Sequence, residues 1–337
     1  MKIVHLVPTG GESPFYEVLL DIERAASRRL DIDLETIYCR GSRASMVEAG
    51  AELARRPRRP DYVLLPNFQG AAHDLLPALD AAGIATFLLN EGMSPTDRLP
   101  HGEPRTKHQR WLGELIPDDV AAGHQLAAIL ADEARGRGLA SPDGKIHVGV
   151  LAGNQTFAGQ TRFQGWVALT KKRPEVVQTS VQYANWAKDI ARSAAGVMLR
   201  RHRHISVIWA ANDAMALGAL EAADECGRTP GKDLLVGGMD LLPEALQRIQ
   251  DGSLTVSLGG HVLDGARALV LLHDHARGKD FSPPSRRSLL EPVTPALAQA
   301  YRRFFETRAW ERVDFSRYSR ATTGAQDAPE LTIEALL

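Results

Sequence analysis

Apolar residues along this chain alternate between two spacings. Short consecutive apolar runs at residues 3–7, 34–38, 62–65 and 85–89 read as buried strands. The intervening stretches, 13–29, 43–54 and 71–82, repeat their apolar positions every three to four residues and read as amphipathic helices. After Pro117 a helix over 118–135 leads through the turn Pro142-Asp143-Gly144 into a second set, with strands near 147–151, 176–181, 206–209, 234–237 and 255–257. Alternating strand and helix predicts a doubly wound parallel sheet. Because the pattern occurs twice, it predicts an α/β chain of two such lobes whose strand ends face a shared cleft. A helix over 261–277 would return to the first lobe, and residues 286–293 to the second.

The junction Ile208-Trp209-Ala210-Ala211-Asn212-Asp213-Ala214-Met215 is the most informative point of that pattern. It joins a buried strand to a helix start, where Asn212 and Asp213 can cap the helix. The backbone donors there and the Asn212 amide face whatever sits at the strand's carboxyl end, a position suited to a small polar ligand.

Composition narrows the partners. The chain has 337 residues, 44% of them hydrophobic, long enough for two lobes with full cores. Forty basic residues against 41 acidic give a formal charge of -1, so no global field favours nucleic acid or an anionic membrane. The basic cluster Arg55-Arg56-Pro57-Arg58-Arg59 reads as a solvated turn. Cys39 and Cys226 stand alone without metal-ligand spacing and read as structural. No catalytic constellation appears: Gly10-Gly11 lacks the Lys-Ser/Thr of a phosphate loop, and there is no Gly-x-Ser-x-Gly elbow. His273-Asp274-His275 and Arg201-His202-Arg203-His204 do not read as metal sites, and neither a cofactor nor a metal is expected.

Taken in order, several motifs resemble the type I periplasmic solute-binding proteins, over roughly residues 2–320. The Asn212-Asp213-Ala214-Met215-Ala216-Leu217-Gly218-Ala219 run is similar to that family's signature, shared with the ligand-binding halves of LacI-type repressors. Ser13-Pro14-Phe15-Tyr16 resembles the turn that lays an aromatic ring against the ligand; the other reading of Phe15 or Tyr16 is a hydrophobic staple for the helix. Asn90-Glu91 stands where many sugar binders have Asp-Arg, which points away from a common pentose or hexose. Asn67, at the neighbouring strand end, is either a ligand contact or a turn asparagine. Arg162, in Arg162-Phe163-Gln164-Gly165-Trp166, should turn its planar fork toward the ligand, with Trp186 as a second stacking ring. Asp240, in Val236-Gly237-Gly238-Met239-Asp240, supplies an acceptor-only carboxylate; His261 either caps the next helix or reaches the ligand.

The resemblance implies a three-crossing hinge near residues 115–118, 257–261 and 281–286. The lobes would comprise 1–116 with 260–282 and 117–259 with 283–320, followed by a tail at 321–337. It further implies a monomer in the periplasm, its signal peptide removed ahead of Met1. That protein captures a sugar-like or polyol ligand and presents it to an ABC transporter permease or a membrane sensor, without nucleic acid and without catalysis. The alternative is the sensing domain of a LacI-type regulator lacking its DNA-binding headpiece. Residues 304–319 resemble the carboxyl extension of the subgroup that includes the autoinducer-2 receptor. Its borate-diester ligand calls for two arginines, and only Arg162 falls at a matching position, so that ligand is not expected.

Overall fold

In the computed structural model, which describes residues 1–337, the two sets of apolar runs become two six-stranded sheets. The first set runs β1 (Lys2–Val7), α1 (Pro14–Arg29), β2 (Asp33–Tyr38), α2 (Arg43–Arg55), β3 (Tyr62–Leu65), α3 (Ala72–Ala81), β4 (Ala85–Leu89), α4 (Pro95–Arg98) and β5 (Trp111–Pro117). The second runs α5 (Asp119–Gly136), β6 (Ile146–Ala152), α6 (Phe157–Lys172), β7 (Val176–Tyr183), α7 (Lys188–Arg201), β8 (Val207–Ala210), α8 (Asp213–Glu225), β9 (Leu235–Met239), α9 (Pro243–Gln250) and β10 (Val256–Gly259). The chain closes with α10 (Asp264–Ala276), β11 (Ser285–Ser288), β12 (Glu291–Val293), α11 (Pro295–Glu306) and α12 (Arg320–Thr323).

The sheets are ordered β11-β5-β4-β3-β1-β2 and β12-β10-β9-β8-β6-β7, parallel throughout except for β12 against β10. Every residue of β3, β4 and β8 is buried. Central strands of parallel sheets are covered on both faces, which is why they read as unbroken apolar runs. In each sheet the strand order reverses between two neighbours, β1 and β3 in one and β6 and β8 in the other. Loops leaving their carboxyl ends diverge there and leave a crevice.

The chain divides into Met1–Pro117, His261–Ser288 and Arg308–Leu337 as one unit, and Asp118–Gly260 with Leu289–Thr307 as the other. It changes unit four times, where the resemblance implies three crossings. Residues 286–293, expected together in the second lobe, are split: Ser285–Ser288 pairs with β5 in the first sheet, and Glu291–Val293 with β10 in the second. Residues 308–320, expected with the second lobe, group with the first unit. Buried Trp310 and Phe315 and the bonds of Ser319 hold them there: its Oγ donates to Asp274 Oδ1 at 2.6 Å and lies 3.0 Å from His273 Nδ1.

Strand β5 is absent from the expected pattern. Its sequence, Trp-Leu-Gly-Glu-Leu-Ile-Pro, is broken by Gly113 and Glu114, yet Glu114 is fully buried. Arg98 compensates its charge, with Nη2 at 2.5 and 2.7 Å from the two carboxylate oxygens. A β-carbon at Gly113 would lie 2.4 Å from the Pro284 carbonyl, so only glycine permits that approach. The excursion between β4 and β5 is tied down by a row of imidazoles. Asp97 Oδ1 lies 3.1 Å from His73 Nε2, His73 Nδ1 2.9 Å from His101 Nε2, and His101 Nδ1 3.0 Å from His108 Nε2. Burial, reinforced by His73 and His108, pushes the His101 pKa down.

Candidate functional site

In the second unit the expected residues gather at the carboxyl ends of β7, β8 and β9. Asn212 is the N-cap of α8: its Oδ1 accepts from the Met215 N–H at 2.9 Å, and its Nδ2 donates to the Trp186 carbonyl at 3.4 Å. The cap therefore fixes the junction and also holds the Trp186 backbone. Asn185 and Trp186 both adopt left-handed backbone, with φ of 49° and 63°. This turns the indole over Gly153, where a β-carbon would sit 2.4 Å from the ring. Trp186 as a whole is half-buried.

Arg162, from the second turn of α6, is buried beside that ring, its guanidinium carbon 5.4 Å from the ring centre. Its Nε donates to Asp119 Oδ1 at 2.7 Å, and its Nη1 donates to the Ala211 carbonyl at 2.6 Å and reaches Asp240 Oδ1 at 3.5 Å. Burial works against the charge, but Asp119 and Asp240 outweigh it and hold the guanidinium pKa above its ordinary value. Asp240 follows β9 with φ of 117°, and Leu241 has φ of 61°. Non-glycine residues pay about 1–3 kcal/mol for such conformations and keep them where the surroundings demand it. The result is a rigid acid–base trio beside an aromatic face, able to accept from and donate to neighbouring hydroxyls.

Two residues of this constellation lie outside the expected set. Asp119 supplies the shorter of the two ion pairs to Arg162; a second acid at the start of α5 was its only trace in the sequence, and a helix cap explains that equally well. Asp213 is fully buried next to Asp240. It accepts from Ser257 Oγ at 2.8 Å and from the Leu242 N–H at 2.9 Å. Burial, with the charge of Asp240, raises its pKa to about 7. A β-carbon on Gly238 would fall 2.4 Å from its Oδ1, so the glycine in the Gly237-Gly238 pair makes room for this carboxyl.

In the first unit, four expected residues form a contiguous group. Phe15 stacks on His261 with ring centres 4.7 Å apart, and meets Tyr16 edge-on at 5.4 Å. Phe15 and Tyr16 also pack on Val7, Leu19 and Leu20, as a staple would. Asn90, with φ of 68°, donates from Nδ2 to Tyr16 Oη at 3.4 Å. Its Oδ1 is buried without a partner, an acceptor that a ligand hydroxyl can satisfy. Ser13 precedes α1 as its N-cap but makes no side-chain capping bond. Asn67 stands apart: its Nδ2 donates to the Gly92 carbonyl at 3.2 Å and its Oδ1 accepts from the Ala72 N–H at 3.1 Å. It is buried and braces the turn after β3, so the structure favours the turn asparagine over the ligand contact.

Residues 59–280 match the model of a periplasmic binding protein domain. Over 163 residues the chain is 34% identical to the D-allose-binding periplasmic protein of Escherichia coli (strain K12), covering 48% of this chain and 49% of that one. It is 28% identical over 171 residues to a xylitol-binding protein of Mycolicibacterium smegmatis, covering 50% and 46%. The chain spans about half the length of the curated relatives it matches. Among solved structures, a periplasmic sugar-binding protein from Pseudomonas fluorescens is 32% identical and superposes with a TM-score of 0.87 over 97% of this chain and 95% of its own. These relatives are binding proteins, not enzymes.

Proposed function

Since this chain belongs to the periplasmic binding proteins, we propose that it captures a small polyhydroxylated, sugar-like ligand in the periplasm and hands it to an ABC permease or a membrane sensor. The observation that carries this reading is the Arg162 guanidinium held between Asp119 and Asp240 beside the Trp186 ring. Vicinal hydroxyls suit that arrangement. Each can donate to a carboxylate while accepting from the guanidinium, and the C–H face of a sugar ring lies flat against an indole. Asn212 and Asp240 serve as contacts in the second unit. In the first, the contacts are Ser13, Phe15, Tyr16, Asn90 and His261, with the unpartnered Asn90 oxygen as a hydroxyl acceptor. Asn90-Glu91 in place of Asp-Arg removes a charged grip and biases selection away from the common pentoses and hexoses.

Binding to the folded state alone raises stability by RT ln(1 + [L]/Kd), about 2.7 kcal/mol at a hundredfold excess over Kd. A thermal-shift screen of D-allose, D-ribose, xylitol and other polyols, followed by calorimetry of the hits, tests the reading. At least one compound is expected to raise the melting temperature saturably and leave the solution chemically unchanged. Steady conversion of the compound to a new species, or no saturable response to any polyhydroxylated probe, would overturn it.

A further inference from the structure

Three histidines and a carboxylate form one unbranched hydrogen-bonded row in the first unit: Asp97, His73, His101 and His108, with links of 3.1, 2.9 and 3.0 Å. His73 stands on α3, and the other three on the excursion 94–110 between β4 and β5. Within that excursion only His101, Pro104 and His108 are buried, and its one large aliphatic side chain, Leu99, is 82% exposed. Two imidazoles therefore occupy the place that apolar side chains would fill in a packed loop. The other anchors are Arg98 on Glu114, Arg105 on Asp280 and the Arg110 N–H on Asp80 Oδ1. For residues 99–104 the row is the one hydrogen-bonded tie to the rest of the protein, because their remaining bonds stay inside the excursion.

The row has a limited capacity for protons. Each link needs one, and three neutral imidazoles with Asp97 ionised supply three, all pointing toward the carboxylate. One further proton fits: it charges an imidazole, every link stays occupied, and His108 Nδ1, which bonds to no other group of the protein, carries an N–H outward. A second does not fit. It must either set two N–H groups against each other in one link or protonate Asp97 Oδ2, which already accepts the Ser94 N–H of the α4 capping box. Neighbouring charges do not relieve this. Lys107, Arg98 and Asp74 are the charged groups beside the row: Lys107 donates to the Pro100 carbonyl, Arg98 to Glu103 and Glu114, and Arg43 to Asp74. Burial, then His73, His108 and Lys107, lower the His101 pKa against the pull of Asp97.

We propose that the row is a proton-operated latch, closed while it carries at most one added proton and released from α3 when it takes up a second. Once open, solvated imidazoles titrate near the ordinary histidine value of about 6.5, so acidification favours the open form. The excursion starts four residues after Asn90, so release acts beside a residue assigned to the ligand, although the latch does not depend on that assignment. Hydrogen exchange followed by mass spectrometry on the full chain, from about pH 7.5 to about pH 4.5 and corrected for intrinsic rates, tests it. Peptides within 94–110 are expected to lose protection at a higher pH than β3 and β4. Once release begins, their opening ratio should rise about a hundredfold per pH unit, the mark of two protons. His73→Gln and His108→Gln each keep a donor and an acceptor in place but remove one titrating ring, so in either variant the ratio should rise only about tenfold per pH unit. Constant protection of 94–110 across that range, loss only together with β3 and β4, or native steepness in both variants would overturn the proposal.

Discussion

Removing the Arg162 guanidinium leaves two buried carboxylates, Asp119 and Asp240, without their shared counter-charge. Breaking a buried ion pair from one side costs about 3–5 kcal/mol, and an unmatched ligand hydroxyl costs about 1–3 kcal/mol more in binding. Arg162→Ala is therefore expected both to lose ligand affinity at least tenfold and to shift the urea midpoint downward. Unchanged affinity in a variant that circular dichroism shows to be folded would remove Arg162 from the ligand's surroundings. Gly153→Ala separates the ring from the charges. The added methyl occupies space held by the indole of Trp186, so the ring must move, and calorimetry should report a loss of about 1 kcal/mol or more in binding. At this scale the sequence was legible where a side chain's role followed from its place at a strand end. Asn212 was read that way and Asp240 and Trp186 from motifs resembling the family's, and the structure brings all three around Arg162. Asp119 and Asp213 were not, because an acid at a helix start is as readily a cap as a partner for a distant arginine.

Strand β5 shows where apolar periodicity stops being informative for a whole element. Glu114 interrupts an otherwise apolar run, and the residue that makes its burial possible, Arg98, lies on a short helix sixteen positions earlier in an irregular excursion. Nothing local signals that pairing. Arg98→Met is expected to destabilise the chain by about 3–5 kcal/mol, since the carboxylate would remain buried with only Arg287, 3.9 Å away, nearby. Adding Glu114→Leu should recover much of that loss in a denaturant titration. A double variant no more stable than the single one would mean that Arg98 acts through packing, for instance over the Trp111 ring. The split of residues 286–293 between two sheets has a similar cause: both halves carry strand-compatible residues, and only the partners β5 and β10 decide which sheet each joins. The long central elements, by contrast, were legible because parallel sheets covered on both faces leave no freedom in which residues are apolar.

The two units carry buried titratable groups of opposite sign, and this makes their stabilities diverge with pH. In the first, burial depresses the pKa values of His101, His273 and His275, so the unfolded chain takes up protons before the folded unit does. Stability from these groups is present above the unfolded value of about 6.5 and is lost as pH falls through the folded values. In the second unit Asp213 is raised by burial, and by Asp240, to about 7, so between about 3.8 and 7 the folded unit holds a proton that the unfolded chain has released. That contribution is present at low pH and disappears as pH rises toward 7, opposed by the depressed, half-buried His147. Between pH 7 and pH 5 the first unit should weaken and the second strengthen. Hydrogen exchange followed by mass spectrometry, corrected for intrinsic rates, reads both in one sample. Protection of β1, β3 and β4 is expected to fall on acidification relative to that of β8 and β9. Asp213→Asn keeps the size of the side chain but cannot titrate, and it should abolish the gain in the second unit while leaving the loss in the first. Parallel changes in both units of the native chain, or a gain that persists in Asp213→Asn, would show that these buried groups do not govern the response.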